Sequence, residues 1–116
     1  TCALPISFIK NSSEKAKVLI NRSNEIANLL KVLKEIDDES PLLRLMRYSG
    51  DSMKILNELL NLCKVAEEDA KRVNDRLEIE KQTLIRSGGW LENVDPRFDE
   101  IAQKFAELKD ELKEVL

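Results

Sequence analysis

An all-α fold, built as antiparallel helical hairpins on one long central helix, is predicted by three observations. The first is spacing. Leu42, Leu45, Ser49, Ser52, Leu56, Leu59, Cys63, Ala66, Ala70, Val73, Leu77, Glu80 and Leu84 follow one another in alternating steps of three and four. Those steps keep one helix face turned towards a partner helix. The second is composition: 42 % apolar and 35 % charged residues with only three Gly and three Pro, a mix typical of long helices and coiled coils. The third is punctuation. Ser40-Pro41 and Asp95-Pro96 each pair a capping residue with a proline suited to a first helical turn.

The 116 residues correspond to one module. Aromatic residues are only 4 % of the chain, so the core is expected to be built mainly from aliphatic side chains. The chain begins with Thr and ends at Leu116 inside an apolar repeat. It therefore reads as a piece of a longer protein.

A first helix is expected over residues 13–36. Asn11, Ser12 and Ser13 are N-cap residues, and Glu14 can close a capping box on Asn11. A start just after Pro5 is the alternative. The seam is Ala16, Leu19, Ser23, Ile26, Leu30 and Leu33. Val18, Ile20, Ala27, Leu29, Val32 and Ile36 flank it. That stripe is wider than a two-helix seam, so the helix touches more than one neighbour. Asp37-Asp38-Glu39 opposes the helix dipole and helps to stop the helix.

The second helix is expected over 41–86, as a rod roughly 70 Å long at 1.5 Å per residue. Gly50 lies inside it, at a cost of about 1 kcal/mol relative to Ala. The three-four phase is unchanged across Gly50, which favours a continuous helix; a kink there is the alternative. Before Ala66 the apolar set spreads sideways through Leu43, Met46, Met53, Ile55, Leu60, Leu62 and Val65. After it, little beyond Ile79 and Ile85 joins the seam. Glu67–Lys71 and Glu68–Arg72 have the spacing of stabilising pairs on an exposed side. Ser87-Gly88-Gly89 ends the rod with a left-handed cap. The third helix, 96–116, carries Phe98, Ile101, Phe105, Leu108, Leu112 and Val115 on one face. It should fold back along the narrow half of the rod, while helix one covers the wide half.

Net charge is −3, from 19 basic and 22 acidic residues, so no nucleic-acid footprint is present. Charge is uneven: residues 1–36 hold six basic and three acidic side chains, and residues 37–70 hold four and eight. Helices of opposite sign attract, so this asymmetry points to helix pairing. No apolar run reaches the ~20 residues that cross a bilayer, so a membrane role is not expected. Cys2 and Cys63 lack metal-ligand spacing and imply no disulfide framework. A cytoplasmic location is the expectation.

Histidine is absent, which removes His-dependent nucleophilic catalysis. Gly88-Gly89 matches neither phosphate-binding fingerprint. Glu80 is the one carboxylate on the seam, where setting helix register outweighs a role as a tuned acid. A non-enzymatic module without cofactors is therefore expected: a structural or self-association segment of a scaffold or cytoskeletal-type protein, acting as a homodimer. The alternative is a monomeric three-helix adaptor that takes a partner helix in a groove. Candidate interface residues are Leu42, Leu45, Met46, Met53, Leu56, Leu59, Leu60 and Trp90. Trp90 follows two glycines at a turn, where it either anchors a partner or caps the hairpin.

Overall fold

The computed structural model describes residues 5–47, 51–88 and 97–116. Four helices are present among them: α1 (Pro5–Glu39), α2 (Pro41–Arg47), α3 (Asp51–Arg86) and α4 (Phe98–Val115). No strand occurs among the described residues. The fold is the all-α architecture that the spacing predicts.

α1 begins at Pro5, eight residues before the expected start at Ser13. The early start has a packing reason. Phe8 packs against the core, with the Arg76 guanidinium 4.4 Å over its ring. Ser12 is buried inside the helix instead of capping it. Tertiary packing outweighs a local capping preference. The expected rod over 41–86 appears as α2 and α3, with Gly50 outside the described residues. At the far end Gly88 has φ +79°, the left-handed cap expected there. Its amide bonds the Ile85 carbonyl at 3.1 Å. The Asp95-Pro96 start also lies outside the described residues; α4 is preceded by Arg97.

Ion pairs fix the helix directions. Lys15 Nζ reaches Asp69 Oδ2 at 2.7 Å, and Phe8 meets Arg76. A step of seven along α1 is a step of seven back along α3, so the two are antiparallel. Lys109 of α4 meets Glu67 of α3 at 2.7 Å. Asp99 and Gln103 lie near Asn74 and Asp75, whereas Lys113 lies near Asn57 and Asn61, so α4 is antiparallel to α3 as well. Lys104 bonds Asn24 and Lys34 pairs with Glu111 at 3.6 Å, so α4 runs parallel to α1.

These pairings correct the expected layout. α1 and α4 do not occupy separate halves of α3; both pack on its stretch from about Leu56 to Leu77 and touch each other. The result is a three-helix bundle. The reason lies in α1, whose Asn24 and Lys34 flank turns to α4 while its Lys15 flank turns to α3. The molecule measures 63 × 23 × 17 Å with a radius of gyration of 18.5 Å. A compact chain of 100 residues would have about 13 Å. The extended shape follows from helices of 35 and 36 residues.

The core holds the predicted seams. Ala16, Leu19, Ser23 and Leu30 of α1 are buried, as are Leu56, Cys63, Ala70, Leu77 and Leu84 of α3. Every predicted seam residue of α4 is buried, with Phe98 and Phe105 the largest enclosed side chains. Ser23 is enclosed at no polar cost, because its hydroxyl donates to the Ile20 carbonyl at 2.7 Å.

Candidate functional site

The sequence-predicted interface residues fall into three environments. Leu42, Leu45 and Met46 on α2 are exposed. Met53, Leu59 and Leu60 are half-buried. Leu56 is only 4 % exposed and belongs to the chain's own core, so it is filled from within and is no free interface position. Trp90 lies outside the described residues.

A second exposed set is continuous with Leu59. On α1, Val18, Arg22, Glu25, Leu29, Val32 and Ile36 repeat in steps of four and three, as a seam beside the buried one. Lys15, one turn before Val18, pairs with Asp69, so this seam lies on the α3 side of α1. On α3, Ile55 and Leu62 stand one heptad apart. The four apolar side chains of the α1 seam and these two of α3 are between 37 and 58 % exposed. A groove of about 410 Å³ joins the two ridges. Arg22, Glu25 and Ile26 form one wall, Leu59, Leu62 and Ala66 the other, and Phe105 lies beneath.

This surface is an apolar trough with two charges at its middle. Neither Arg22 nor Glu25 has an ion-pair partner among the described residues, although both line the groove. The flanking residues of α1 in the sequence point to this seam, since a stripe wider than a two-helix seam needs a second neighbour. The sequence does not show that the second face opens beside α3.

Elsewhere polar side chains serve the fold. Glu67 is buried, in contrast to its expected place on an exposed side. Its carboxylate accepts from Lys109 at 2.7 Å and from Lys71 at 3.1 Å. The Lys109 bond is the main cause that holds Glu67 below its ordinary carboxylate value, with Lys71 next. The same contact raises Lys109. Glu80 is half-buried and pairs with Arg76 at 3.8 Å. Cys63 is fully enclosed, and burial pushes its thiol up to about 11, which keeps it protonated and unreactive at neutral pH. No three acidic, cysteine or histidine side chains are grouped to hold a metal ion among the described residues. No described helix is long and apolar enough to cross a membrane.

No protein-family model, curated protein or solved structure matches this chain.

Proposed function

We propose that the chain is a non-enzymatic, cytoplasmic self-association module of a scaffold or cytoskeletal-type protein, acting by helix–helix packing as a homodimer. One observation carries this reading: the largely apolar face of α1 and α3, with Val18, Leu29, Val32, Ile36, Ile55 and Leu62 exposed and only Arg22 and Glu25 interrupting the α1 seam. Contiguous apolar surface of more than a few hundred Å² marks an interaction site. Two parallel ridges with a trough between them have the shape that accepts further helices at coiled-coil spacing. Leu42, Leu45 and Met46 expose more apolar surface on α2.

The second reading, a monomeric bundle that takes a foreign helix, draws on the same trough. Oligomeric state separates the two. Sedimentation equilibrium at micromolar concentration is expected to show a dimer for the wild type. Leu29→Glu combined with Leu62→Glu should yield a monomer with unchanged helical circular dichroism, because both positions lie outside the core. A wild-type monomer up to high micromolar concentration would overturn the self-association reading and favour the adaptor.

A further inference from the structure

The middle of the trough says how a second copy would lie. We infer that the α1–α3 face pairs with the same face of a second copy, α1 antiparallel to α1, with Arg22 of each chain against Glu25 of the other. This rests on the self-association reading above and adds its geometry.

Arg22 and Glu25 interrupt the apolar seam of α1 at its centre, with Val18 on one side and Leu29, Val32 and Ile36 on the other. A two-fold interface places the same patch on both copies, so the patch must complement itself. If the two α1 helices ran parallel in register, Arg22 would face Arg22 and Glu25 would face Glu25. If each α1 lay on the other copy's α3, the two charges would meet the groove wall of Leu59, Leu62 and Ala66, with the charged Lys54 and Glu58 on its outer side beside Leu62. Charges desolvated against aliphatic side chains without a partner are costly. The antiparallel arrangement alone sets each Arg22 against a Glu25, twice by symmetry. It also sets Val18 against Leu29.

The rest of α1 has the same antisymmetry. Residues 10–25 carry four basic and two acidic side chains; residues 26–39 carry two basic and four acidic. Antiparallel copies bring the basic end of each to the acidic end of the other. The last turn of α1 contains no basic residue to offset its dipole, and the basic end of a second copy supplies that charge. A central polar pair of this kind fixes register and orientation in paired helices.

Charge reversal tests the geometry, because both positions are exposed and outside the core. Arg22→Glu alone should weaken the dimer by about tenfold or more, and Glu25→Arg alone likewise, since each places like charges together at both symmetric contacts. An equimolar mixture of the two variants should recover a dimer, read as a heterodimer by sedimentation velocity with one chain fluorescently labelled. The double variant R22E/E25R should recover its own dimer but fail to exchange with wild type. Exchange of the double variant with wild type would overturn the antiparallel orientation. A wild-type dimer that neither single reversal weakens would overturn the inference while leaving self-association standing. A wild type that is monomeric throughout would overturn both.

Discussion

Glu67 shows how one side chain can hold two helices in register. It is buried on α3, accepts from Lys109 of α4 and from Lys71 one turn along its own helix, and lies in a face otherwise made of Cys63, Ala70 and Leu77. Removing its charge leaves Lys109 without its carboxylate partner and, at best, with a neutral amide oxygen as acceptor. Glu67→Gln should therefore lower stability by up to about 1.5–3 kcal/mol, the range for hydrogen bonds to charged groups. Its pKa is depressed in the fold, so its contribution is present above the ordinary carboxylate value near 4.5 and is lost as pH falls below that towards the folded value. Urea midpoints measured from pH 7 to 3 should fall faster below about pH 4.5 for wild type than for Glu67→Gln. Parallel curves would show that the carboxylate contributes nothing to the fold. Lys109 titrates on the opposite side: raised by the same contact, it keeps its contribution until pH rises past its ordinary value of 10.5.

At the level of the element, the ends of the helices are set by different physics. α3 ends because Gly88 takes a left-handed conformation, and Ser87 Oγ donates to the Leu84 carbonyl at 2.9 Å just before it. A Cβ at Gly88 would meet nothing within 4 Å, so the cost of Gly88→Ala is purely that of the backbone conformation. Thermal denaturation should show a loss of about 1 kcal/mol for Gly88→Ala, and a smaller loss for Gly88→Asn, which tolerates that conformation better. Equal losses for both would mean the cap is not the cause. α1 starts by a different route: no acidic residue lies in its first turn, and Phe8 against the core and Arg76 holds that end.

Across the whole molecule, the buried core and the open trough occupy different faces. Phe105 is enclosed on α4 beneath the trough, where α1 and α3 also meet. Phe105→Ala should cost about 3–5 kcal/mol in urea denaturation. For a domain of this size that is much of the total stability. Leu29→Ala, at a position 42 % exposed, should change stability of the isolated chain by no more than about 0.5 kcal/mol. A large loss at Leu29 under dilute conditions would place that side chain in the core and remove it from the free face. The separation matters for the proposed dimer, because the trough can gain or lose a partner without unfolding the helices that form it.

Much of this was legible in the chain because it is periodic. Leu19, Leu30, Cys63, Leu77, Phe105 and Leu112 are buried as their three-four spacing requires, since that spacing fixes which side chains share a helix face. Local chemistry likewise marked Gly88 as a cap. Periodicity along one helix, however, does not say which helices occupy the same stretch of their neighbour. That depended on the Lys15–Asp69, Lys34–Glu111 and Lys109–Glu67 pairs, which span distant parts of the chain and bring α1 and α4 together on α3. The same placement buried Glu67, moved the start of α1 back to Pro5, put Leu56 in the core and left the Val18–Ile36 seam open. The sequence by itself determined which faces are apolar; only the tertiary structure decided which of them are covered, because covering depends on contacts between residues far apart in the chain.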